Sequence, residues 1–348
     1  MAWEKLGSAS VGGAGVANTS WKELARTTLG SASDTITVDS IPARDNLMII
    51  PYVYDEGSNQ VYGQGRFNND SGNNYANRWS RNGGSDTTNT SQSSMVTYFA
   101  GAAYGEFGVF EMANIAGQEK LLIDHGVAAD ATGAGTAPKR HEGVHKWANT
   151  SDQVTRFDYI NGGSGTFGTG SEVVVLGYDN DEADSGTNFW QELASVDTTG
   201  DNHTTGTFTA KKYLWVQTNV VTTGGAVSQR MTFNDDTGSN YASRQSFDGG
   251  SDSTSTSGSN INAGNNDDLV TNSIGIANMF IVNKSDKEKL GMIDTNSGEA
   301  SGAGNAPTRD ECVFKWANTS SQITKIDFDN NKAGDWASGS YIKVYGAD

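Results

Sequence analysis

The sequence predicts an all-β protein made of two tandem jelly-roll-like β-sandwich domains that arose by internal duplication. Three observations carry this reading. Long blocks of the chain occur twice. Short alternating or β-branched runs recur between clusters of turn-forming residues. No stretch keeps a 3.6-residue apolar period beyond two turns.

The duplication is explicit. Residues 67–78 return at 233–244 with eight of twelve positions identical, from Phe67 matching Phe233 to Arg78 matching Arg244. Gly83-Gly84-Ser85-Asp86 returns as Gly249-Gly250-Ser251-Asp252. Lys146-Trp147-Ala148-Asn149-Thr150-Ser151 returns unchanged at 315–320. Trp21 to Trp190 and Trp147 to Trp316 share an offset of 169, whereas Phe67 to Phe233 is 166, so small length changes flank that block.

Each element follows in order. Residues 1–17 stand outside the repeat and read as an N-terminal arm able to add a strand to a neighbour. The first sandwich takes 18–179, an acidic linker 180–188, and the second sandwich 189–348. In the first copy Thr35-Ile36-Thr37-Val38 alternates, and Leu47 to Tyr54 is β-branched and aromatic. Residues 154–159 alternate again, and Glu172 to Tyr178 closes the copy. In the second copy Thr207 to Ala210 alternates weakly, then come Tyr213 to Val221, Ile323 to Phe328 and Tyr341 to Tyr345. Ser85 to Ser94 and Ser251 to Ser259 are nearly pure Ser, Thr, Asn, Gln, Gly and Asp. They read as solvated loops, or as a contact surface for a glycan or partner. Many strands joined by long polar loops favour a jelly roll. Trp147 and Trp316 read as core.

Composition narrows the function. Over 348 residues, 24 Lys+Arg stand against 41 Asp+Glu, a net charge of −17. Such a balance argues against a nucleic-acid-binding surface. The single Cys312 excludes an internal disulfide framework and a cysteine-based zinc cage. Apolar runs such as Leu47–Ile50 and Val173–Leu176 are far short of the ~20 residues that span a bilayer, so no membrane partner is expected. The start has no apolar core of a secretory signal, and the chain is expected to be made in a cytoplasm and to stay soluble.

The candidate chemistry is sparse. His141-Glu142-Gly143-Val144-His145 has the His-Glu-x-x-His pattern of zinc hydrolases, which needs a helix. Here Gly143 sits inside it and the stretch reads as a strand. Two histidines four residues apart on a strand lie about 13 Å apart, too far to share one zinc. The second copy has Asp310-Glu311-Cys312-Val313-Phe314 in that place. No catalytic or metal-binding residue is therefore expected, and the chain reads as a non-enzyme. Asn68, Asn69 and Asp70, with Asn234, Asp235 and Asp236, offer oxygens to calcium, the only cofactor suggested. Asx turns are the favoured reading. Tyr75 with Arg78, and Tyr241 with Arg244, suit contact with a partner or a sugar ring. A structural role is favoured because both copies keep them.

The recurring blocks extend further. They include Trp-x-x-Leu, the Phe67–Arg78 block, Gly-Ala-Gly-x-Ala-Pro, Lys-Trp-Ala-Asn-Thr-Ser and the closing 170–179. Together they resemble a repeated β-sandwich module of structural proteins of tailed viruses from marine bacteria and archaea. The resemblance covers nearly the whole chain. Tyr98–Tyr104 departs from it, with no clear match in Asp267–Ser273. It implies a structural protein on the outside of the virion, foremost a capsid decoration or cement protein. Its partners would be the major capsid protein or other virion proteins, and its own copies in a homo-oligomer, a trimer by preference. The alternative is a tail or fibre protein binding host-surface glycans.

Overall fold

A computed structural model describes residues 21–55, 57, 59–102, 104–179, 187–263, 269, 273–298 and 302–348. The arm expected at 1–17, most of the linker and most of the 267–273 segment lie outside the described residues. Among the described residues all regular structure is β, and every strand pairing is antiparallel. The chain divides into two compact units. One holds residues up to 131 together with 139–189, the other 132–138 together with 190–348.

The first unit contains β1 (Lys22–Thr28), β2 (Thr35–Val38), β3 (Asn46–Val53), β4 (Val61–Phe67), β5 (Tyr75–Arg81) and β6 (Thr87–Gln92). It continues with β7 (Met95–Ala102), β8 (Glu106–Ala113), β9 (Lys120–Ala128), β10 (Lys139–Trp147), β11 (Phe157–Asn161) and β12 (Glu172–Tyr178). One sheet runs β1-β12-β3-β8-β9-β10-β5-β6, the other β2-β11-β4-β7. Without the β5–β6 and β9–β10 hairpins the orders become β1-β12-β3-β8 and β2-β11-β4-β7. That is the strand order of an eight-stranded jelly roll. The two hairpins extend the larger sheet by four strands.

The second unit repeats this plan. Its strands are β13 (Gln191–Gly200), β14 (Asn202–Thr204), β15 (Tyr213–Thr223), β16 (Arg230–Phe233), β17 (Tyr241–Phe247) and β18 (Ser253–Gly258). Then follow β19 (Ile261–Asn262), β20 (Ile274–Val282), β21 (Lys289–Gly298), β22 (Pro307–Trp316), β23 (Ile326–Asp329) and β24 (Asp335–Ala347). The sheet orders, β13-β24-β15-β20-β21-β22-β17-β18 and β14-β23-β16-β19, match the first unit strand for strand.

Burial follows the sequence pattern. β4 alternates buried and half-buried residues from Val61 to Phe67, as a strand with one core face must. β3 and β12 bury nearly every residue, which is why they read as continuous apolar runs. In each unit a ring cluster occupies the space between the sheets. Phe67 lies 5.6 Å from both Trp147 and Phe157, and Phe233 lies 5.6 Å from Trp316 and 5.8 Å from Phe314.

Three expectations about strands are corrected. Residues 87–92 and 253–258 are edge strands, not loops. They pair on one side only, with β5 and β17. Exposed Thr-rich sequence suits such an edge, because polar side chains on both faces discourage further pairing. Thr207–Ala210 is not a strand. Phe208 donates to Thr324 O at 2.7 Å, but no continuous ladder forms there. β11 and β23 begin later than the alternation suggests. Asn side chains take the backbone donors just before them: Val154 N bonds Asn114 Oδ1 at 2.8 Å, and Thr155 N bonds Asn68 Oδ1 at 2.9 Å. Asn283 and Asn234 do the same in the second unit.

Candidate functional site

The repeated Tyr/Arg block resolves into a structural part and an exposed part. Tyr75 and Tyr241 are buried, so neither is available to a glycan or partner. Tyr75 Oη accepts from Phe67 N at 2.9 Å and donates to Asp70 O at 3.2 Å. Tyr241 repeats this with Phe233 N at 2.9 Å and Asp236 O at 2.8 Å. Arg78 is exposed and lies 3.5 Å from the equally exposed Asp86, a pairing of little energetic weight. Arg244 is more enclosed. It donates to Pro138 O at 2.8 Å and lies 3.8 Å from Asp252.

The Asn/Asp segments form turns. Asn68 and Asn69 have φ of 50° and 58°, and Asn234 and Asp235 have 52° and 58°, a region Asn and Asp enter most readily among side-chain-bearing residues. Asp70 accepts from Gly72 N at 2.9 Å and from Trp147 Nε1 at 2.7 Å. Asp236 accepts from Gly238 N and Trp316 Nε1 at the same distances. These carboxylates are thus committed to the turn and the core tryptophan.

A groove of about 680 Å³ lies over the face of the larger first-unit sheet that points away from the small sheet. Strand alternation builds it. In Leu121-Leu122-Ile123 the middle residue enters the core and the outer two face the groove. Leu121 is 58% exposed, Ile123 64% and Val144 49%, and Val144 pairs directly with Ile123 across the ladder. Trp21 and Tyr178 form one wall, their rings edge-to-face with centroids 4.7 Å apart. Arg78, Asn89 and Thr90 supply polar groups to its lining.

On the inner side of the same strands lies a buried polar cluster. His141 Nε2 is 3.0 Å from Asp124 Oδ2, and His145 Nε2 is 2.6 Å from Asp124 Oδ1. All three side chains have no exposed surface. His145 Nδ1 lies 2.8 Å from Asn77 Oδ1. Trp79 stacks on His141 with centroids 5.7 Å apart. Burial pushes the Asp124 carboxyl up, but the two histidines outweigh it and hold the group well below the usual carboxylate range. The strand spacing of His141 and His145 therefore misleads. Their backbones are far apart, yet both rings turn inward onto one carboxylate. Glu142 faces the other side of β10 and pairs with Arg140, so the three residues of the hydrolase pattern do not converge.

Glu106 is buried nearby and accepts a hydrogen bond from Tyr159, whose hydroxyl also lies 3.1 Å from Thr97 Oγ1. Burial pushes the Glu106 carboxyl up to about 8, against the pull of Tyr159 and the Gly63 amide.

The second copy is an internal control. With the same register, Ile293 replaces Asp124, Cys312 replaces Gly143, Phe314 replaces His145 and Phe328 replaces Tyr159. Those four residues join an apolar core cluster. His141 is matched by the buried Asp310, so the second jelly roll forms without the two histidines while keeping one carboxylate at that place. Sequence reading missed Asp124, Asn77 and Glu106. For Asp124 the signal was present in the comparison of copies, since the apolar Ile293 stands in its place; Asn77 matches the polar Ser243 and carried no such signal.

No family model matches the sequence, and the search of curated proteins returns no match. Among solved structures, the LG1-3 region of the laminin alpha2 chain is 10% identical with a TM-score of 0.20, over 91% of this chain. This chain spans 64% of that one. Mouse laminin alpha1 domains LG4-5 are 8% identical with a TM-score of 0.21, covering 93% of this chain and 90% of that one. Likenesses at TM-scores this low carry no argument about what the chain does.

Proposed function

We propose that this chain is a non-enzymatic structural protein of a virion exterior, a decoration or cement protein. In this reading the outer face of the first unit's larger sheet docks onto the shell protein. The observation that carries the docking part is the apolar stripe of Leu121, Ile123 and Val144 in an open groove on a sheet whose other face is already a complete core. The viral part is supported by the resemblance of the repeated blocks to virion modules. The net charge of −17 suits an outside position, away from packaged nucleic acid, and a partner whose contact surface is basic around an apolar centre. The absence of convergence between Glu142 and the histidines supports a non-catalytic role. Quantitative mass spectrometry of purified particles tests the reading. Copies in simple ratio to the shell protein support it, and absence from particles overturns it.

A second reading is favoured by one feature of the same groove. Its Trp21–Tyr178 wall and its Arg78 and Asn89 groups suit a sugar ring, which stacks on aromatic faces and bonds planar donors. A tail or fibre protein binding host glycans would show a few copies per particle and a positive glycan array. Silence on the array with calcium present removes this reading.

A further inference from the structure

We propose that Asp124, His141 and His145 form a buried site for one divalent transition metal ion, zinc by its ligand chemistry, which ties β9 to β10. The inference is independent of the virion reading.

The donor set comes first. One carboxylate oxygen and two imidazole nitrogens lie within 4.8 Å of one another on adjacent strands, all of them buried. Two histidines with a carboxylate are a common protein ligand set for zinc, with a fourth position left for water. Around an ion with ligands at about 2.0–2.2 Å, the nitrogen–oxygen separations would open to about 3.3 Å. Small side-chain rotations achieve that from the 2.6 and 3.0 Å found here.

The outer hydrogen bonds point the same way. Asn77 Nδ2 donates to Ser94 O at 3.3 Å, and Asn77 Oδ1 accepts from Val96 N at 3.4 Å. The amide oxygen is therefore turned towards His145 Nδ1 at 2.8 Å, and because that oxygen can only accept, the contact assigns the N–H to Nδ1. His145 Nε2 in turn faces Asp124 Oδ1 at 2.6 Å, so a divalent ion would replace the proton this pair shares and be ligated by both. Metal-binding histidines characteristically donate their second nitrogen in this way.

Space and comparison complete the argument. Gly143 lies between the two histidines and directly across from Asp124. A Cβ there would stand 2.2 Å from Asp124 Oδ1 and 2.6 Å from His145 Nε2. The second copy has Ile293, Asp310, Cys312 and Phe314 in the same places and folds in the same register, so it keeps one buried carboxylate there but no histidine. The two histidines are therefore not a requirement of the fold, and a buried ion pair is weak evidence for stability.

The test uses untagged full-length protein, stripped with chelator and dialysed, then titrated with zinc chloride. The comparison is D124I/H145F, which installs the second copy's Ile293 and Phe314 at two of the three ligand positions. Expected are about one tightly held zinc per wild-type chain, little in the variant, and a zinc-dependent rise in Tm in the wild type alone. Absence of stoichiometric zinc and an unchanged Tm would overturn the proposal. So would equal zinc uptake by wild type and variant. Should the variant fail to fold, cobalt(II) bound to wild type decides. An absorption spectrum of four-coordinate cobalt with nitrogen and oxygen ligands supports the site, and a spectrum of the hydrated ion alone overturns it.

Discussion

Gly143 stands directly opposite Asp124 in the β9–β10 ladder, and a methyl group at Gly143 would come within 2.2 Å of the Asp124 carboxylate. The missing side chain is what lets histidines on either side of it converge. In the second unit Cys312 faces Ile293 in the same register, and there the side chain is part of an apolar core.

Gly143→Ala is therefore expected to destabilise the protein by about 2–4 kcal/mol, through overpacking and loss of the buried pairing. Cys312→Ala, at the matching place, removes only a small apolar contact and should lower stability by about 1 kcal/mol. Urea unfolding of the two variants checks this. Equal effects would mean that the Gly143 gap has no special role.

Glu106 gives a pH dependence with a defined sign. Its carboxyl is pushed from 4.5 up to about 8 by burial. Tyr159 faces it from β11 and Asp124 from β9, with His141 and His145 beyond on β10. A raised folded value means the neutral form is favoured by folding. Its stabilisation is fully present below the unfolded value and is lost progressively as pH rises towards the folded value. Glu106→Gln cannot ionise. The variant should lose this slope between the two values and be more stable than wild type above pH 8, as read by Tm against pH. Parallel Tm profiles for the two proteins would refute the assignment.

The Trp147–Asp70 bond and its copy, Trp316–Asp236, are both 2.7 Å long. Burial raises each carboxyl, but the tryptophan N–H, Asn and Gly donors together leave it below its ordinary value of 3.8. With a depressed folded value, the stabilisation is present at neutral pH and disappears as acid protonates the folded carboxylates. Asp70→Ala and Asp236→Ala should each cost about 1.5–3 kcal/mol at pH 7. The difference from wild type should shrink at pH 3. A difference unchanged by acid would show that the turn, not the charge, sets the effect.

The groove prediction addresses docking. Leu121→Ser with Ile123→Ser changes two exposed side chains and should alter stability by only about 0.5 kcal/mol. Co-sedimentation with particles lacking the native protein should fall at least tenfold if this face docks. Undiminished binding by a folded variant would exclude it as the docking face.

Much of the fold was legible in the sequence because its signals are local. Period-two alternation in Thr35–Val38 and the apolar run from Val173 reflect the surroundings of single strands. The polar edge strands at 87–92 and 253–258 were not legible as strands, since two solvated faces leave no apolar period. Tyr75 and Arg78 occupy one short repeated block, yet one is core and the other surface. Spacing alone does not tell which face of β5 meets the small sheet.

By itself the sequence determined that the protein is a duplicated, acidic, all-β chain, because duplication, charge and strand alternation are written in neighbouring residues. Only the tertiary structure decided which residues meet. His145 reaches Asp124 across 21 positions, and Asn77 lies 68 positions from His145. Those contacts exist because the hairpins β5–β6 and β9–β10 are laid side by side, with β10 against β5, in one register. A shift of one residue would have turned both histidines out towards the groove.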